Sequence, residues 1–73
     1  MEDPRAYVRI ADQVRQQITT GRLKPGQPVP SITTLTQDHG VARQTAAKAL
    51  RLLESEGLVR RIPGLGYYVS ERP

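Results

Sequence analysis

Residues 41–57, VARQTAAKALRLLESEG, carry two patterns at once, and together they decide how the chain folds. Ala46, Ala49, Leu50 and Leu53 recur at three- and four-residue spacings, which stacks them on one face of a helix and marks that face for burial. Gly57 stands where a helix closes through a left-handed residue. The first two turns differ in kind. Arg43, Gln44, Thr45, Ala47 and Lys48 offer cationic, amide, hydroxyl and small side chains, and nothing large and apolar. A helix that is apolar behind and basic in front has the chemistry to enter a DNA major groove, where Arg and Gln match base edges bidentately. The stretch is a candidate recognition helix.

The segment before it reads as its partner. Ser31 is a candidate N-cap, Val29 ahead of it can fix the angle at which the chain arrives, and a short second helix is expected from Ile32 to His39, closing at Gly40. Thr33, Thr34 and Thr36 have poor helix propensity, so this helix depends on packing through Ile32 and Leu35. Two helices joined by a Gly-containing turn make a helix-turn-helix, although a ligand-free helical hairpin has the same spacing. After Gly57 the period changes. Residues 58–62, LVRRI, then Pro63-Gly64-Leu65-Gly66 and Tyr67-Tyr68-Val69 read as strand, turn and strand. Such a hairpin is marginal alone, so some of Leu58, Ile62, Tyr68 and Val69 must pack on the helices. Neighbours on a strand face opposite sides, so at least one of Arg60 and Arg61 is expected in solvent.

At the other end, Asp3 and Pro4 suit the opening of a first helix. Tyr7, Ile10, Ala11, Val14 and Ile18 form one apolar stripe, and Gly21 stops it. The connector at residues 21–31, GRLKPGQPVPS, has Pro and Gly where Lys24-Pro25-Gly26-Gln27 needs them for a type II turn, with Leu23 and Val29 as anchors. Ile10, Val14, Ile18, Leu35, Leu50 and Leu53 are the expected core. The whole is one domain of α+β class, three helices followed by a two-stranded wing, ordered over about residues 4–69 with frayed termini.

Composition narrows the function classes. A chain of 73 residues buries only roughly 60% of the surface its unfolded form exposes, which leaves little room for an enclosed active site. Lys and Arg outnumber Asp and Glu by 11 to 7, a net charge of +4 that favours a polyanionic partner. The absence of cysteine excludes disulfide staples and thiolate metal sites and points to the cytoplasm. No apolar run is long enough for a membrane span, and the start lacks the order of a signal peptide. Ser31, Asp38 and His39 supply the residue types of a catalytic triad, but nothing frames them as one, so no enzyme, metal or cofactor is expected.

The ordered set of motifs resembles the DNA-binding domain of the GntR family of bacterial transcription regulators. The likeness rests on Pro4, Tyr7, Ile10, Ala11 and Val14; on Ile18 with Gly21; on Pro25-Gly26 and Val29-Pro30-Ser31; and on Gly40-Val41, Arg43, Thr45, Ala49-Leu50 and Leu53. Glu56-Gly57-Leu58 and the Gly64 and Gly66 ahead of Val69 complete it. The resemblance implies a winged helix-turn-helix that represses transcription from a palindromic operator. It implies that Arg43 reaches a base, with Gln44, Ala47 and Lys48 beside it, and that Thr45 holds a phosphate. Backbone contacts are further expected at Arg5, Tyr7, Ser31 and Thr33. The wing, with Arg61, Gly64, Leu65, Gly66 and Tyr67, is expected at the minor groove.

Four positions depart from the family pattern. Ser31-Ile32-Thr33 stands for Ser-Glu-Arg, Ala42 for a capping Ser, Ala47 for a second recognition-helix arginine, and Tyr67-Tyr68 for Thr-Phe. They bear on the operator and on grip, not on fold. The C-terminal effector domain that the resemblance implies has no counterpart in this chain, which reads either as an excised domain or as a short regulator. A monomer is expected free and a dimer on DNA, in a cytoplasmic, nucleoid-associated protein. The competing expectation is a winged helix that binds protein instead of DNA; large apolar anchors on the third helix's front would mark it, and that front has none.

Overall fold

A computed structural model describes residues 3–71. Three helices, α1 (Ala6–Thr19), α2 (Ile32–His39) and α3 (Arg43–Ser55), precede two antiparallel strands, β1 (Val59–Ile62) and β2 (Gly66–Val69). Helix α3 lies at the centre. Its Ala46, Ala49, Leu50 and Leu53 meet Ile10, Ala11 and Val14 of α1, Leu35 of α2, and Val59 and Val69 at the base of the strands. Ala11, Ala46 and Ala49 have no exposed surface, and side chains this small let α1 and α3 approach closely. Of the expected core, Ile18 is only half-buried; Tyr7, Ile32, Val41 and Leu58 also pack around its edge.

The helix ends follow local chemistry. The Ser31 hydroxyl accepts from the Thr34 amide at 3.0 Å, and α2 closes on Gly40 at φ 65°, both as expected. At the end of α3, the Leu58 amide donates to the Leu53 carbonyl (3.1 Å) and the Gly57 amide to that of Glu54 (3.0 Å). This paired closure requires the φ of 80° that Gly57 adopts. It also moves a boundary. The Leu58 amide is spent on the helix, so β1 starts at Val59, one residue later than the sequence suggests.

Two other boundaries differ. Val41 and Ala42 precede α3 instead of belonging to it, and Ala42 is extended at φ −69°, ψ 156°. Helix α1 starts at Ala6, not at Pro4, and its N-cap is Arg5. Asp3 uses its carboxylate on the Arg5 amide (2.8 Å) and its carbonyl on the Ala6 amide (2.9 Å), so it closes a turn ahead of the helix.

In the hairpin, Val59 faces Val69, Arg60 faces Tyr68, Arg61 faces Tyr67 and Ile62 faces Gly66. Val59 and Val69 are the buried pair, whereas Arg60 and Arg61 are both exposed. The hairpin tip is a Pro63-Gly64 turn closed by the Leu65 amide on the Ile62 carbonyl (3.0 Å), with Gly64 at φ 81°, where a side chain would be strained. The connector holds the Lys24–Gln27 turn foreseen from sequence, with a 3.0 Å bond between the Gln27 amide and the Lys24 carbonyl.

The connector then does something the sequence did not announce. It runs antiparallel along β2: Gly26 donates to the Val69 carbonyl (3.0 Å), Val69 donates to that of Gln27 (2.8 Å), and Val29 donates to that of Tyr67 (3.0 Å). The wing is therefore held by a third extended segment as well as by its buried valines. Ser70, expected to fray, gives its amide to the Leu58 carbonyl at 2.9 Å. Residues 1, 2, 72 and 73 lie outside the described residues. The fold is a winged helix-turn-helix.

Candidate nucleic-acid interface

Burial of α3's rear face decides what its front can present. With Ala46, Ala49 and Leu50 turned inward, Arg43, Gln44 and Lys48 are left exposed, and Thr45 and Ala47 are half-buried. Residues four apart on a helix are neighbours, so Arg43 and Ala47 form one column and Gln44 and Lys48 the next.

On one side of this front lies a groove shared with α2 and the wing, lined by Ser31, Ile32, Thr33, Arg43, Arg61, Ile62, Gly64, Gly66 and Tyr67. Seven of the residues selected from sequence thus meet in one depression. Across it the Arg43 Nη1 donates to the Thr33 hydroxyl at 3.2 Å. Arg61 adds a second exposed cation opposite half-buried Tyr67. Leu65 stands clear at the tip, 69% exposed, the one large hydrophobic side chain in solvent among the described residues.

On the other side is a notch against the start of α1, lined by Asp3, Pro4, Tyr7, Gln44, Thr45 and Lys48. The Lys48 ammonium sits 4.2 Å from the centroid of the Tyr7 ring, an attraction between a cation and the negative face of the π system. Asp3 is the single acid lining this notch. Its carboxyl is held below the usual carboxylate range, first by the Arg5 amide and then by Arg9, whose Nη1 is 2.7 Å away. Its negative charge is thereby engaged locally. Arg5 is exposed on the same turn but lines neither depression, and neither does Ala47.

Sequence reasoning missed Asp3, Pro4, Ile32 and Ile62 as lining residues, and both side-chain pairings. The types were visible, a lone aromatic and a lysine, an arginine and a threonine, but their meeting is tertiary. Among the described residues there is no group of His, Cys, Asp and Glu able to hold a metal ion, and no polar or charged residue is buried. No helix of the described residues is long and apolar enough to cross a membrane. What the two depressions offer is hydrogen-bond donors and positive charge around the exposed start of α3.

The family model for bacterial regulatory proteins of the gntR family matches residues 6–69. The chain belongs to the gntR family. Within it, the chain is 43% identical over 65 residues to the mannosyl-D-glycerate transport/metabolism system repressor MngR of Escherichia coli (strain K12). It is 38% identical over 65 residues to the HTH-type transcriptional repressor NagR of Bacillus subtilis (strain 168). Each match takes in 89% of this chain and 27% of the relative, so the chain spans about a quarter of these regulators. Among solved structures, the AraR DNA-binding domain in complex with operator ORR3 superposes with a TM-score of 0.86 at 32% identity, covering 89% of this chain and 78% of that one. The gntR relatives so matched are transcription regulators, and the winged helix expected from sequence is the fold they share.

Proposed function

We propose that this chain binds double-stranded DNA sequence-specifically and serves as the operator-reading part of a bacterial repressor. One observation carries the reading: the start of α3 presents Arg43, Gln44 and Lys48 to solvent, between two depressions lined by cations and hydroxyls. In this reading α3 enters the major groove. Arg43 pairs with guanine through two of its N–H groups and Gln44 with adenine, while the Ala47 methyl can meet a thymine methyl. Ser31, Thr33 and Thr45, with Tyr7 across the notch and Arg5 on the exposed turn beside it, seat phosphates and fix the register. Lys48 serves at the boundary between base edges and backbone. Arg61, Gly64, Leu65, Gly66 and Tyr67 bring the wing to the minor groove, where glycine lets the backbone approach.

Two copies on a palindrome supply the affinity that one small interface lacks. The site is a binding site, not a catalytic one, and it works in the cytoplasm at the nucleoid. The likeness to MngR, NagR and the AraR complex supports this reading. A protein-binding winged helix has less in its favour, since Leu65 alone offers a large exposed anchor among the described residues.

The test is fluorescence anisotropy of a labelled mixed-sequence duplex at two salt concentrations, followed by selection of a preferred duplex. Binding should weaken as salt rises, because each neutralised phosphate releases counterions. Arg43→Ala should cost about 1 to 3 kcal/mol on the selected duplex and relax the preference at one base step. No binding at low salt overturns the reading. Equal loss on every sequence removes the base contact from Arg43.

A further inference from the structure

We propose that Thr33 is the positioning residue for Arg43, and that its hydroxyl links backbone docking by α2 to base reading by α3. This rests on the DNA-binding reading above. Arg43 is the first residue of α3 and is exposed, so its long side chain, left alone, would have to be ordered at a cost when it meets a base. It is not left alone. Its Nη1 lies 3.2 Å from the Thr33 Oγ1, across the turn that joins the two helices.

The hydrogen-bond inventory makes this contact useful. A guanidinium has five N–H groups, so one given to Thr33 leaves enough for a two-pronged contact with guanine. A hydroxyl can accept and donate at once. Accepting from Arg43 leaves the Thr33 proton for an oxygen that only accepts, which is what a DNA phosphate presents. In a helix the branched Cβ of threonine leaves its first side-chain bond essentially two settings, so the hydroxyl has few directions in which to leave the backbone of α2. That backbone is itself fixed: Leu35 is buried, Ile32 packs on the core, and the Thr36 hydroxyl donates to the Thr33 carbonyl at 2.7 Å. The result is a chain of contacts from phosphate through Thr33 and Arg43 to a base, so that seating α2 on the correct phosphate also aims the arginine.

Thr33 is exposed, so replacing it should leave the fold intact. Thr33→Val keeps the shape and removes the hydroxyl; Thr33→Ser keeps the hydroxyl. Both are titrated against a duplex selected with the unmodified chain and against a scrambled version of it, alone and combined with Arg43→Ala, with circular dichroism as the folding control. Thr33→Val should reduce the preference for the selected duplex roughly threefold to tenfold, the range expected for one hydrogen bond. Thr33→Ser should restore it. In the Arg43→Ala background, Thr33→Val should leave the remaining preference unchanged. Undiminished preference in Thr33→Val, failure of the serine to rescue, or an equal effect with and without Arg43 overturns the proposal while leaving DNA binding in place. If the unmodified chain binds neither duplex, the reading beneath falls and takes this proposal with it.

Discussion

At its rear, α3 packs Leu50 and Leu53 against α1 and the base of the wing, with 1% and 0% of their surface exposed. At its front, Arg43, Gln44 and Lys48 stay in solvent, and two of them touch other elements only through the ends of their side chains. The rear fixes where the helix lies and the front decides what it can meet. Because the front side chains lie outside the buried core, the front can change its chemistry with little cost to stability. That separation explains why the departure at Ala47 leaves the gntR architecture whole.

The largest effect should come from breaking the rear. Leu53→Ala empties a fully buried position and should cost about 2 to 5 kcal/mol, a large share of what so small a domain possesses. Urea denaturation would show it, and any loss of DNA binding should track the unfolded fraction. Gly57→Ala should come next. A Cβ there meets nothing within 4 Å, so the penalty is conformational, roughly 1 to 2 kcal/mol for a left-handed residue. The melting temperature should fall while the affinity of the remaining folded protein stays the same.

Lys48→Ala should be the gentlest and the most diagnostic. It removes a front cation and its contact with Tyr7, so stability should change little. Binding to all duplexes should weaken together, with the slope of affinity against salt reduced by about 1. A loss confined to one sequence would instead make Lys48 a base reader and erase the distinction between it and Arg43.

The sequence was most readable where structure is local. Helix α2 could be bounded at both ends because Ser31 caps it with its own hydroxyl and Gly40 closes it, and Gly57 marked the end of α3 in the same way. The start of α1 was misplaced because the same Asp-Pro pair suits a helix opening and a preceding turn, and the bond from Asp3 to the Arg5 amide selects the turn. Nonlocal pairings left no trace. Arg15 grips Glu56 with two bonds, Nε to Oε1 at 2.9 Å and Nη2 to Oε2 at 2.7 Å, between residues 41 apart in sequence. Glu56, followed by Asp12, holds the Arg15 proton more tightly than usual and ties the middle of α1 to the end of α3. Nothing in periodicity or propensity connects those positions. The candidate site was legible in residue types, and its division into a groove and a notch was not.

The strand-like connector beside β2 has a consequence for how the chain is made. A ribosome delivers Gln27 and Val29 well before Tyr67 and Val69, yet the backbone groups of the early pair bond to those of the late one. Until the final strand emerges, the connector has no edge to zip onto and the wing has no base. Helices can form early from local contacts, but closure of the domain waits for its last residues, as expected where pairings span most of the chain. The nascent chain thus completes the surface shared by α3 and the wing only once β2 has emerged.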